Sequence, residues 1–389
     1  MTDGGRRPRV IHVITRLIVG GAQLSTISLC EGLRDDFDVR IVSGPQTGAE
    51  GSLQRRAAEA APLTVVDALR REISPRWDPV AIHALRRVLR RLDADIVHTH
   101  SSKAGIVGRF AAAPTRARSI HTIHGWGHTP ADSPLRQSAF IALERAAARR
   151  CDALIAVSGD NRAEGLAHGI GRPEMYHVIP EVVELDSLDP DFGASRMRAR
   201  EALSIEAHVE VIGWTGRFVE QKDPTTLGRA IATVLLRRPG SRAVLIGDGP
   251  LRGDVEATID AAGVGDRATF TGVVEGARQL MPAFDVLVHT SRWEGQPRVV
   301  QEALAERIPV VAAGTSGVAE LITNGQTGLM VKPRAPMEMA DAAAAALDTP
   351  ALQPPLGKDV LDRLRTTHGP ATVLRRHREL YEAVLKGSL

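Results

Sequence analysis

No run of about 18 apolar residues occurs anywhere in this 389-residue chain, so no membrane-spanning helix is predicted. Cysteine is nearly absent too. Cys30 falls within a predicted helix and Cys151 at a predicted strand start, and two unspaced cysteines give neither a disulfide framework nor a metal-ligand pattern. There is no HExxH, no short-period repeat and no low-complexity tract. The dinucleotide fingerprint GxGxxG is missing after the first predicted strand, which disfavours NAD binding. A secretory leader is imitated where Arg6, Arg7 and Arg9 precede Val10–Ile14, but His12 and Arg16 break the apolar stretch short. These absences point to a cytoplasmic protein.

Lysine is scarce as well. Among 49 basic residues five are lysines, Lys103, Lys222, Lys332, Lys358 and Lys386, so each is worth locating. The net charge of +3 is uneven. Met1 to Pro180 carries 25 Lys+Arg against 18 Asp+Glu, or +7, and the remainder 24 against 28, or −4. Arg86, Arg87, Arg90 and Arg91 share a predicted helix with Val80, Leu85, Val88 and Leu89. That spacing makes a cationic patch with an apolar flank, which reads either as a solvated face or as peripheral contact with an anionic membrane.

The rest of the composition, 43% hydrophobic and 24% charged, is that of a globular protein of two or three domains. Short β-branched or apolar runs at 9–14, 38–43, 63–66, 95–99, 118–123 and 152–157 alternate with helix-compatible stretches. That pattern predicts a parallel sheet covered on both faces. Val178–Val183 and the Asp/Pro-rich run Asp186–Phe192 read as an interdomain crossing. A second α/β series follows, with strands expected at Val209–Gly216, Leu245–Gly247, Phe270–Val274, Asp285–His289, Pro309–Ala313 and Leu329–Pro333. Gly314–Glu320 is read as another glycine-bearing helix start, 336–347 as an Ala-rich helix and 371–386 as an amphipathic tail helix. The two domains are therefore drawn as 1–183 with the tail helix added (about 371–389), and 184–370.

Several strand ends carry chemistry. Gly20-Gly21 opens the first helix, where paired glycines let backbone N–H groups approach an anion or a sugar. Histidines gather at two later strand ends: His98 and His100, then His121, His124 and His128 in HTIHGWGH. His98 and His121 read as satisfied core histidines, and no metal is expected. Ser101-Ser-Lys103-Ala-Gly105 opens another helix with a lysine at the same rim. In the second half, Val209–Gly216 ends in glycine and is followed by Arg217 and Lys222. The densest stretch is SRWEGQPRVVQEALAERIPVV, Ser291 to Val311. A helix is predicted from about Pro297, entered through Gly295, with Glu294 and Glu302 flanking its start. Such a helix start suits a phosphate, and carboxylates beside it suit neutral hydroxyls, so a diphosphate bearing sugars uses every part.

Glu294-Gly-Gln-Pro, seven residues between the glutamates, Glu302-Ala and Pro309-Val-Val-Ala resemble the signature of family 4 retaining glycosyltransferases of the GT-B fold. The order of features supports the likeness: the early glycine pair, His124-Gly125, Arg217 with Lys222, the Gly249-Pro250 turn and the paired glutamates. The resemblance implies two Rossmann-like domains with parallel sheets facing across a cleft, an acceptor-binding first and a nucleotide-sugar-binding second. It also implies a last helix that returns to the first domain.

Residue by residue, the resemblance assigns catalytic roles to Arg217, Lys222, His124 and Glu294. It assigns donor binding to Gly20, Gly21, Gly216, Gly249, Val273, Gly295, Gln296, Val299 and Glu302, and it leaves Lys103, Trp126 and His128 to line the acceptor site. Glu302 would hold the ribose, Glu294 the sugar, and Arg217 with Lys222 the diphosphate. Gln296 stands where many relatives carry phenylalanine, which leaves the sugar open.

The implied reaction moves a hexosyl group from a nucleotide diphosphate sugar, UDP- in preference to GDP-, to a hydroxyl of a sugar, a lipid-linked glycan or a small-molecule alcohol. No cofactor, metal or nucleic acid is implied, and polysaccharide or natural-product biosynthesis is the setting. A GT-B epimerase or hydrolase and a non-catalytic nucleotide-binding relative are the alternatives. The spacing DxD occurs at Asp36/Asp38, Asp93/Asp95 and Asp189/Asp191 and reads as chance in an acid-rich chain.

Overall fold

The computed structural model describes residues 6–46, 51–183 and 191–388. The chain divides into two compact units, Met1–Val182 with His368–Leu389, and Val183–Thr367. Most of the stretch read as an interdomain crossing, together with Asp189 of the third DxD, lies outside the described residues.

The first unit runs β1 (Arg9–Ile14), α1 (Gly21–Leu33), β2 (Asp38–Ser43), α2 (Gln54–Ala60), β3 (Leu63–Val65), α3 (Asp78–Arg91), β4 (Ile96–His100), α4 (Ser102–Ala112), β5 (Arg118–Ile123), α5 (Pro134–Ala148), β6 (Ala153–Ala156), α6 (Gly159–Ala167) and β7 (Tyr176–Val178). Its sheet is ordered β3-β2-β1-β4-β5-β6-β7, and every pairing is parallel. Strands buried on both faces read as near-continuous apolar runs, which is why six of the seven are visible in the sequence. β7, three residues long, is not.

The second unit runs α7 (Phe192–Ala202), β8 (Glu210–Thr215), α8 (Pro224–Arg237), β9 (Ser241–Ile246), α9 (Arg252–Ala261), β10 (Ala268–Gly272), β11 (Val286–His289), α10 (Arg298–Ala305), β12 (Val310–Ala313), β13 (Gly328–Val331), α11 (Pro336–Asp348) and α12 (Lys358–His368). Its sheet, ordered β10-β9-β8-β11-β12-β13, is again parallel throughout. One apolar core serves the whole unit. The stretch Gly314–Glu320 is not a helix start. It folds as successive turns, Val318 N–H to the Thr315 carbonyl and Leu321 N–H to the Val318 carbonyl.

The last helix, α13 (Pro370–Lys386), packs in the first unit, burying Val373, His377, Leu380, Tyr381 and Val384. That spacing keeps one face apolar. In β1, β4 and β5 the register sets His12 beside His98 and His100 beside Thr122. Side chains alternate faces along a strand. His12, His98 and His100 therefore share the face that also carries Val10, Ile14, Ile96 and Ile120 and is covered by α1 and α13. Ile11, Val13 and Val97 turn to the face covered by α3 and α4.

The arginine patch on α3 is partly spent within the fold. Arg86 donates to the Phe110 and Ala111 carbonyls and Arg90 to the Pro114 carbonyl, at the C-terminal end of α4, where a cation complements the helix dipole. Arg87 and Arg91 remain exposed. Among the described residues no helix is long and apolar enough to cross a membrane.

Candidate active site

In an open parallel sheet, ligands bind beyond the C-terminal strand ends, where the strand order reverses direction. In the second unit that point lies between β8 and β11, neighbours paired at Ile212 with Val286. Beyond their ends two loops are tied together. Arg292 N–H donates to the Gln221 carbonyl at 2.8 Å, and Thr290 Oγ1 to the Lys222 carbonyl at 2.6 Å. The Arg292 guanidinium spans Glu220 at 2.9 Å and Asp223 at 3.1 Å. Asp223 has φ +48° and caps α8, its carboxylate accepting from the Thr226 N–H and hydroxyl. The chain therefore turns sharply after Lys222, and the ammonium falls back onto the neighbouring loop.

It lands on Glu294. Lys222 Nζ lies 2.5 Å from Glu294 Oε1, with the lysine 18% and the glutamate 9% exposed. His289 Nε2, at the end of β11, is 3.4 Å from the same oxygen, and Gln221 Nε2 is 3.4 Å from the other. Burial alone would raise the Glu294 pKa, but the Lys222 charge together with His289 outweighs it and holds the carboxyl well below the usual range. Burial lowers the His289 pKa, against the pull of Glu294. The site therefore holds a carboxylate, an ammonium and a neutral imidazole.

Around this pair the same edge gathers the other donor-site candidates of the second unit. Gly216 closes β8 through its N–H to the Ile246 carbonyl, and Arg217 follows it. Gly249 lies against Phe218: a Cβ there would sit 2.6 Å from the Phe218 carbonyl oxygen. Gly247 N–H bonds the Gly272 carbonyl, which sets Val273, 59% exposed, beside that turn. Gly317, at φ +75°, packs so closely that a Cβ would meet the Gly295 carbonyl at 2.2 Å, so the 314–318 turns back the Glu294 loop. Pro297 caps α10 with no side-chain cap, and no acidic residue stands in the first turn. Gln296 is buried and accepts from Gln301 Nε2 at 2.9 Å, Val299 packs on the core, and Glu302 pairs with Arg298 at 2.7 Å.

In the first unit the reversal lies between β1 and β4. Gly20 caps α1 in extended backbone, with Gly21 its first residue, and Thr15 Oγ1 bonds Ser101 Oγ at 2.7 Å across the two strand ends. His124 is held from both sides, Nδ1 to Glu181 at 2.6 Å and Nε2 to His100 Nδ1 at 3.1 Å. His100 Nε2 in turn meets His12 Nδ1 at 2.9 Å. A hydroxyl ligand on His124 Nε2 therefore has to displace His100. His100, His124, Glu181, His377, Ser25 and Thr26 line a narrow recess. His98 is a satisfied core histidine, bonded to the Tyr381 hydroxyl at 2.5 Å and to Thr122 at 2.7 Å. His121 bonds Thr99.

The three acceptor candidates each have partners within the first unit. Lys103 does not present its charge at a rim: it donates to Asp78 and to the Glu72 carbonyl, pinning the start of α3. Trp126 gives its indole N–H to the Asn161 carbonyl, and its ring fills the notch that Gly165 leaves on α6. His128 is buried, facing Trp126, His168 and Glu164. Sequence reasoning passed over His289, Gln221 and Arg292 in the second unit, and Glu181 as the partner of His124. A histidine closing a strand five residues before Glu294 was the one available signal.

Two family models match the chain, a glycosyl transferase 4-like domain over residues 20–181 and glycosyl transferases group 1 over residues 209–349. Alpha-D-kanosaminyltransferase of Streptomyces kanamyceticus is 30% identical over 281 residues, 69% of this chain and 72% of that protein. This chain belongs to the family 4 glycosyltransferases. The Escherichia coli UDP-Gal:alpha-D-GlcNAc-diphosphoundecaprenol alpha-1,3-galactosyltransferase is 26% identical over 83% of the chain and 84% of its own length. Among solved structures, Anabaena HepE in complex with UDP and glucose is similar with a TM-score of 0.81 at 22% identity, covering 96% of this chain and 99% of that one. Sucrose-phosphate synthase from Thermosynechococcus elongatus reaches 0.83 at 22% identity, covering 98% and 100%. The fold of this glycosyltransferase is GT-B, an α/β architecture of two Rossmann-like domains.

Proposed function

We propose that this glycosyltransferase is a retaining, metal-independent hexosyltransferase, with a nucleotide diphosphate sugar, UDP-linked in preference to GDP-linked, as donor. The observation that carries the reading is the Lys222–Glu294 pair at 2.5 Å beyond the β8 and β11 ends. The pair sets a cation for a phosphate directly beside an acceptor for sugar hydroxyls. Glu302, on α10 beside Arg298, suits the ribose. The transfer breaks the bond between the anomeric carbon and the β-phosphate oxygen, and the electron pair stays on the phosphate. The acceptor hydroxyl attacks from the same face, its oxygen bonds the anomeric carbon, and its proton passes to the departing phosphate. In this reading Arg217, Lys222 and the α10 N-terminus meet that charge in place of a metal. Names among the relatives, a diphosphoundecaprenol-linked GlcNAc acceptor in one and a kanosaminyl transfer in another, support a glycan or small-molecule hydroxyl as the acceptor class.

The test is nucleotide release across UDP-, GDP- and dTDP-sugars. A UDP-hexose should turn over, and a panel with no release from any sugar would sink the reading. On the same panel Glu302→Gln should weaken every donor alike, whereas Glu294→Gln should reorder the sugars. Each lost charged hydrogen bond is worth about 1.5–3 kcal/mol. Identical effects of both substitutions would refute the division of roles. Turnover should also survive EDTA; its loss, restored by manganese, would overturn the metal-free chemistry.

A further inference from the structure

One cluster in the first unit lies apart from the residues the proposed transfer uses. Beyond β5 the chain turns through His124–Thr129, and His128 ends 7% exposed with neither ring nitrogen in a hydrogen bond. Opposite it is α6, where Glu164 and the C-capping His168 stand four residues apart and so on one face. His128 Nε2 lies 3.4 Å from Glu164 Oε1, and the His128 and His168 rings meet edge to face with centroids 4.7 Å apart. One ligand atom from each of the three lies within 4.8 Å of the others. Glu164 and His168 are half-buried, so solvent reaches the cluster.

We propose that His128, Glu164 and His168 form a binding site for a divalent transition metal, Zn²⁺ foremost, that braces the His124–Thr129 loop against α6. Two imidazoles and one carboxylate are a zinc donor set, with a fourth position left for water. Zinc bonds of about 2.0–2.1 Å in a tetrahedron place ligand atoms about 3.3–3.4 Å apart. The His128–Glu164 separation of 3.4 Å already has that length, although the two atoms are not hydrogen-bonded. The metal gives the buried His128 a ligand bond where it otherwise makes no hydrogen bond. Asn161, three residues before Glu164, is 1% exposed with both amide atoms unpartnered, and a metal-bound water is the kind of group it can bond. The neighbouring triad His12, His98 and His100 is less suited, because both His98 nitrogens are spent on Tyr381 and Thr122 and the other two rings bond each other.

The experiment uses tag-free full-length protein, stripped with EDTA and dialysed, then titrated with Co²⁺ by visible absorbance and with Zn²⁺ against a chromophoric chelator. One metal per chain is expected, with a tetrahedral Co²⁺ spectrum. His168→Ala and Glu164→Gln, at half-buried positions that leave the core intact, should each weaken binding about tenfold or more. Zn²⁺ should raise the Tm of the wild type and not of His168→Ala. Absence of stoichiometric binding, or binding that both variants leave unchanged, overturns the site. So does a wild-type Tm indifferent to Zn²⁺, which is what a simple His128–Glu164 ion pair would give.

Discussion

Lys222→Ala should lower kcat by about 10²–10³ while the donor Kd changes far less. Without donor, the Lys222 ammonium is neutralised by Glu294 at 2.5 Å, in a pocket that leaves the glutamate 9% exposed. A bound diphosphate already carries charge, and part of the lysine's attraction serves the ground state. The additional negative charge on the leaving phosphate exists only as the anomeric bond breaks, and an ammonium fixed beside it in a partly desolvated site acts on that difference. Arg217→Ala should fall in the same direction.

A second effect has to be separated. Removing Lys222 leaves a buried carboxylate with His289 and Gln221 against it among the described residues, and Glu294 would then protonate more readily or shift. The double variant Lys222→Ala/Glu294→Gln isolates the two. If kcat is lost through the missing cation, the double variant stays as slow as the single. Recovery in the double variant would place the loss on Glu294. A tenfold weaker Kd with unchanged kcat would make Lys222 a ground-state anchor only. Stopped-flow donor binding beside single-turnover transfer reads both quantities.

The layout of this site was legible in the sequence only in part. Strands such as Val310–Ala313 and Ala153–Ala156 are buried on both faces and announce themselves as apolar runs. Tyr176–Val178 is too short to do so, and the helix Lys358–His368 was not predicted. The glutamates, Arg217 and Lys222 stood out because their order along the chain is distinctive. That Lys222 meets Glu294, 72 residues on, depends on β8 and β11 being sheet neighbours although β9 and β10 intervene in sequence. No local spacing encodes that adjacency. The same holds for His124 and Glu181, 57 residues apart, and for the carbonyls at and just beyond the end of α4 that occupy Arg86 and Arg90. Fold follows from periodicity, which is local; side-chain partnership follows from strand order, which is not.

The first unit should lose stability steeply as the pH falls from about 6.5 toward 4. Five histidines there are held neutral. Burial, with the charge of His377 behind it, lowers the His12 pKa to about 3. Burial likewise lowers His377 to about 4, although the Val373 carbonyl opposes it. His98 and His100, buried and facing His12, His121 and His124, sit well below the ordinary value, and so does His121, buried beside Arg109. In the unfolded chain each titrates near 6.5.

A folded pKa below the unfolded one means stability is complete above pH 6.5 and drains as protons bind the unfolded state below it. At pH 5 His12 and His377 each withdraw about 2 kcal/mol, and His98, His100 and His121 act in the same direction, a sizeable part of the stability of a domain. The second unit supplies the internal reference, since His289 is its one buried histidine among the described residues. Hydrogen exchange by mass spectrometry, corrected for intrinsic rates, should show protection of β4 peptides collapsing between pH 6.5 and 5 while β8 peptides hold. Parallel loss in both strands would assign the acid sensitivity elsewhere. Retention of β4 protection at pH 4.5 would mean that the buried rings accept protons without unfolding.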